Sequence, residues 1–160
     1  MRVKSFAQYL LEKADSAEMG GTWSEVRDAI QLKKPFVIVV FRTRSSYSEA
    51  IETEFKETQY VKQTAVFTVD GDTIKYPSIF FILDRDVDFR DRVKELYEKF
   101  DIKQLIIGKQ NAEYSTLYVK DGTSSDFGNE LVSTLDPSEF KSESHFKIGS
   151  HYYRFIEFEG

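Results

Sequence analysis

The sequence predicts one α/β or α+β domain, a mixed β-sheet of about five to seven strands flanked by two or three helices. Three observations predict it. PFVIVVF, residues 35–41, is an unbroken run of β-branched and aromatic residues, the pattern of a strand covered on both faces. Val93, Leu96, Tyr97 and Phe100 fall at i, i+3, i+4 and i+7, the spacing of one buried helix stripe. The 160 residues carry fourteen Phe, nine Tyr and one Trp, enough for one core but not for two generous domains.

The elements follow in order. Residues 4–13 predict a short amphipathic helix with Phe6, Tyr9 and Leu10 on one face, and the small, polar stretch 14–21 ending in Gly20-Gly21 predicts a linker. Thr22 and Glu25 have capping-box spacing, opening a helix whose apolar face is Trp23, Val26, Ala29 and Ile30. That helix must stop before Pro35. The strand 35–41 follows, then a polar turn, then a helix near 47–59 with Ser46 and Glu49 as a second capping box. Residues 64–69 predict a strand, and Asp70-Gly71 a hairpin turn. The returning strand is interrupted by Pro77, which donates no ladder bond and so belongs at an edge or bulge. Asp88 can cap a helix near 89–100. Residues 104–108 and 114–119 predict short strands, 122–135 a loop, and Asp136-Pro137 a helical turn. Gly149-Ser150 predicts a final hairpin. The chain thus divides into an N-terminal arm and linker, 1–21, and a domain, 22–160.

Composition excludes several functions. Cysteine is absent, which removes disulfides, thiolate metal sites and thiol nucleophiles. The net charge of −5 argues against a nucleic-acid binder, which needs a basic face for phosphates. No apolar run reaches the roughly 18 residues of a membrane span. His145 and His151, the two histidines, are too few for a histidine metal site or triad and are expected at the surface. No cofactor is expected.

Four residue groups are candidates for function. Arg42, Arg44, Ser45 and Ser46 follow a buried strand and precede a helix, where an anion can be held. Asp84, Asp86 and Asp88 follow the strand SIFFIL. Their spacing echoes both a phosphatase Asp-x-Asp and an EF-hand loop, but Phe89 stands where that loop needs Gly. Helix capping is the simpler role. The tail HYYRFIEFE places Tyr152, Tyr153, Phe155 and Phe158 as interface candidates, with core burial the default. Glu54-Phe55-Lys56 echoes a nuclease Glu-x-Lys, but on a helix the two side chains diverge.

Lys4, Ser5, Phe6, Tyr9, Leu10 and Glu12 stand in an order that resembles the head-targeting propeptides of internal proteins in T-even-type bacteriophages. The resemblance implies cleavage after Leu10-Leu11-Glu12, although Lys13 replaces the small residue usual there. Residues 36–122 loosely resemble an uncharacterised family of small α/β proteins of phages and bacteria. Together these imply a viral accessory protein in the host cytoplasm or the virion head, acting by binding a host or viral protein rather than by catalysis. A phosphate- or nucleotide-binding domain or enzyme using Arg42, Arg44, Asp84 and Asp86, and a structural virion component, are the alternatives.

Overall fold

A computed structural model describes residues 22–140 and 143–158. The N-terminal arm, with Leu10 and Glu12, lies outside the described residues. Three α-helices are described: α1 (Trp23–Gln31), α2 (Arg44–Glu52) and α3 (Val93–Phe100). The strands are β1 (Phe36–Phe41), β2 (Gln59–Val69), β3 (Asp72–Ile82), β4 (Ile102–Gly108), β5 (Tyr114–Tyr118), β6 (Ser124–Gly128), β7 (Leu131–Thr134), β8 (His145–Ile148) and β9 (His151–Phe155).

The nine strands form one sheet in the order β6-β5-β4-β1-β3-β2-β8-β9-β7, and every pairing is antiparallel. This corrects the expected mixed sheet of five to seven strands. The apolar run at β1 does report burial on both faces, but such a run carries no information on strand direction. Phe36, Ile38 and Val40 enter one core with α1. Val37, Val39 and Phe41 enter a second core with α2 and α3.

The sheet curls into a half-barrel around the first core. Seven strand steps separate β6 from β9, which would place them roughly 34 Å apart in a flat sheet at about 4.8 Å per strand. Instead the rings of Phe127 and Phe155 meet at 5.4 Å between centroids, edge to face. Phe36 stacks on Phe80 at 4.8 Å and reaches Phe155 at 6.3 Å. Gly108 pairs with Phe36 across the ladder, and a Cβ there would overlap the Phe36 ring. The missing side chain is what lets that ring lie flat across the sheet.

A polar chain runs through this core. Tyr153 Oη donates to Gln63 Oε1 (2.7 Å), Gln63 Nε2 to Ser78 Oγ (3.1 Å), and Ser78 Oγ to the Val39 carbonyl (2.8 Å). Burial pushes the Tyr153 hydroxyl far above its ordinary pKa, so it is a neutral donor.

Asp70 and Gly71 have φ of +51° and +84°, the two left-handed residues of a tight hairpin turn. Pro77 lies inside β3, yet one residue beyond the last β1 pair, Val40↔Ser78. Its missing donor therefore costs no bond to β1. The helix expected at 47–59 starts earlier, at Arg44, with Thr43 extended as its N-cap. Ser45 and Ser46 hydroxyls lie within bonding distance of Thr43 Oγ1, at 3.1 and 3.3 Å, so the second capping box does not form. Nor does the first, because the Glu25 carboxylate accepts instead from Gln59 Nε2 at 2.9 Å. Residues 59–63, which precede the strand expected at 64–69, belong to β2. Residues 122–135, read as loop, contain β6 and β7. Tyr153, Phe155 and Phe158 are core side chains, which leaves Tyr152 as the half-exposed member of the expected interface set.

Glu54 and Arg92 join α2 to the turn before α3 by two parallel bonds of 2.6 and 2.8 Å. These bonds hold the Glu54 carboxyl below its usual range. A depressed carboxylate stabilises the fold above its unfolded pKa of about 4.3, and the contribution is lost as pH falls through the lower folded value. Glu54→Gln is expected to lose on the order of 1 kcal/mol at neutral pH, since Arg92 is partly screened by solvent. In urea titrations the gap to the parent chain should hold down to about pH 5 and shrink below about pH 4. Gly108→Ala should cost about 1–3 kcal/mol by overpacking against Phe36, seen as a lower urea midpoint with an unchanged slope.

Candidate functional site at the sheet seam

The expected anion residues do not converge. Arg42 reaches Asp101 at 3.7 Å, Arg44 lies at the start of α2, and Ser45 and Ser46 turn towards Thr43. The three aspartates are likewise engaged apart. Asp86 Oδ1 accepts from the Gln110 amide (2.7 Å), tying this loop to the β4–β5 turn. Asp88 accepts from the Arg90 amide at 3.0 Å and from its guanidinium at 2.7 Å. Those bonds draw its carboxyl down to about 2. Asp88 thus caps the short 3-10 turn Arg90–Arg92 rather than the helix itself. Asp84 lies exposed at the end of β3. Among the described residues no group of three acids or histidines could hold a metal ion.

The histidines were expected at the surface, but His145 is buried against Phe140 and Tyr152, its Nδ1 3.0 Å from the Glu143 carbonyl oxygen. His151 stacks on Trp23 at 5.9 Å. Both rings are thereby used in packing.

A groove forms instead where the curled sheet fails to close. Edge strands β6 and β7 are joined by Asn129-Glu130 alone, so they stay close at this end. A cavity of about 550 Å³ lies there. Its floor is Ile30 from α1, Ala112 and Leu131, and its rim carries Glu113, Glu130, Glu157, Lys33 and Tyr114. Each rim residue is held by local geometry. Lys33 has a φ of +56° and its carbonyl accepts from the Asn111 amide at 2.8 Å. Its ammonium stands 3.5 Å from Glu113. Asn129 accepts from Ser115 Oγ, donates its side-chain amide to the Ala112 carbonyl (3.3 Å), and bonds its backbone to Glu113 (2.9 Å).

Glu157 rides on the turn after β9. Arg154, whose side chain is 11% exposed, clamps that turn by donating to the carbonyls of Ile156 and Phe158 at 3.3 and 3.2 Å. The Glu157 carboxylate then accepts from the Gly128 amide at 3.2 Å. Three acidic residues and one lysine thus line a groove with an apolar floor, and the lysine pairs with Glu113. Tyr114 is 61% exposed, and Leu32, between two lining residues in sequence, is 66% exposed. The groove thus combines exposed apolar side chains with charged ones at its rim.

The seam is not legible in the sequence because its residues come from four separate stretches, none of them a motif. The exposed aromatic at the head of a strand, Tyr114, was the available signal. Comparison of the chain with family models, curated proteins and solved structures finds no match. No helix among the described residues is long and apolar enough to cross a membrane.

A Cβ on Gly128 would stand 2.5 Å from Glu157 Oε2, the movable end of a flexible side chain. Gly128→Ala should therefore change stability by no more than about 0.5 kcal/mol. It should also release Glu157, seen as a shift of the residue 128 amide resonance.

Proposed function

We propose that this chain is a non-enzymatic accessory protein that binds another protein through the seam groove. The partner would present a lysine or arginine flanked by an apolar side chain. The observation that carries this is the excess of carboxylates at the groove, Glu113, Glu130 and Glu157 against Lys33, over the floor of Ile30, Ala112 and Leu131. A cation entering there gains from all three acids, and its aliphatic stem covers the floor. The setting proposed is a tailed phage, in the virion head or the infected host cytoplasm. It rests on the resemblance carried by Lys4 to Glu12.

Glu130 and Glu157 are both exposed, so their reversal should not unfold the chain. A partner captured by the parent chain at low salt is expected to be lost to Glu130→Lys/Glu157→Lys, and weakened by raising the salt. Capture indifferent to the charge reversal would remove the groove from the reading. The setting has its own test: intact mass of the chain from purified particles, which should begin at Lys13 if it is packaged and cut.

A further inference from the structure

We propose a second site, independent of the seam, that binds a phosphate monoester between the start of α2 and the middle of the β2–β3 hairpin. A hollow of about 260 Å³ opens there, lined by Arg44, Tyr47, Thr64, Lys75 and Tyr76 among others, with no carboxylate in its wall. It exists because β1 ends at Phe41 while β2 and β3 run on past it. The place left beside Pro77 is not filled by a neighbouring strand on that side.

Two cations line it, and two more stand against the rings of its wall. Arg44 and Lys75 line it directly. Lys62 Nζ lies 5.5 Å from the Tyr47 ring centre, and Lys103 Nζ lies 5.8 Å from that of Tyr76, each a cation held against an aromatic wall. Among the described residues none of these four is in an ion pair with a carboxylate. Arg27, Arg42, Arg90, Arg92 and Arg154, by contrast, each have one. Burial pushes the Tyr47 hydroxyl up to about 12, so it adds no negative charge at neutral pH.

These groups match a dianion better than a carboxylate. A phosphate monoester carries about −1.5 to −2 charges at pH 7. Arg44 supplies a planar fork for two of its oxygens, the lysines supply point charges, and Thr64 supplies a hydroxyl. Arg44 is also the first residue of the nine-residue α2, whose positive end faces the same region. The recognising chemistry is the same for a free ester and for one carried on a protein side chain.

The test is a titration of the ¹⁵N-labelled full chain with phenyl phosphate, phenyl sulfate and benzoate, three anions on one ring. Phenyl phosphate should bind saturably, shift the amides of Arg44, Tyr47, Thr64 and Lys75, and bind at least about tenfold more tightly than the two monoanions. Arg44→Gln and Lys75→Gln replace exposed side chains and should each weaken binding by about tenfold. Arg85→Gln, on an exposed loop elsewhere, should not. Equal binding of all three anions, or shifts that survive both variants, would overturn the site. A neutral tetrapeptide bearing phosphotyrosine separates the sources: tighter binding than phenyl phosphate assigns the ester to a protein, equal or weaker binding to a free ligand.

Discussion

Contact between the Phe127 and Phe155 rings closes a sheet whose two ends would otherwise be far apart, and most other features of the molecule follow from it. Burying a phenylalanine contributes about 1.5–3 kcal/mol, and an edge-to-face pair adds roughly 0.5–1.5. The closure is shared further by Phe36, which spans from β1 to β9 above Gly108, and by Phe158, which meets Phe127 at 5.1 Å. Strands β6 and β7 are brought to the same end of the half-barrel but are not paired to one another. The seam groove is what remains between them. The residues that position Glu157, Gly128 and Arg154, are the chain neighbours of Phe127 and Phe155, which seal the core beneath it.

The polar chain from Tyr153 through Gln63 and Ser78 to the Val39 carbonyl complements this closure. Dispersion and apolar burial are non-directional, and a half-barrel filled with Phe rings could accept more than one strand register. A buried hydroxyl and amide cannot, because each unpaired group costs about 1–3 kcal/mol. Gln63 and Ser78 stand opposite each other in the β2–β3 ladder. Tyr153 joins them across β8, so three strand registers are fixed by one chain of bonds. Directional bonds set the alignment, while ring packing supplies the larger share of the free energy.

What was legible in the sequence was whatever one side of a strand or helix states by itself. The stripe from Val93 to Phe100, the Asp70-Gly71 turn, the Gly149-Ser150 turn and the two-sided strand at 36–41 are all local. What was not legible depends on neighbours distant in sequence. Ser124 to Gly128 and Leu131 to Thr134 each read as loop because edge strands with one solvated face need few apolar residues. Gln59 to Gln63 fall outside the strand expected at 64–69 because Gln63, a polar residue pointing inward, hides the alternation that would mark a strand. Strand direction was beyond reach altogether, since an apolar run is the same in a parallel or antiparallel sheet. The candidate residues show the same division. Arg44 was marked by its place after a buried strand, but Lys62, Lys75 and Lys103 come from three other strands and meet it only in the folded chain. Tyr153 and Phe155 were marked by aromatic density, which the core absorbs.

The net charge conceals how charge is placed. The three seam carboxylates gather at the end of β1 that begins with Phe36, where Gly108, Ser115 and Phe127 continue the row across the sheet. Arg44 and Lys75 line the hollow beyond its other end, past Phe41. A strand of six residues spans roughly 17 Å, more than a Debye length of about 8 Å at physiological salt. The two regions are therefore screened from one another and present opposite signs to solvent independently. That separation is costly to the folded chain only through like-charge repulsion within each region. In return it gives the surface two distinct poles, which a mean charge of −5 would not suggest. At the two proposed sites, a ligand or partner with a single sign of charge would be drawn to one end of β1 and turned away from the other, so that where the sheet stops would set orientation as well as affinity.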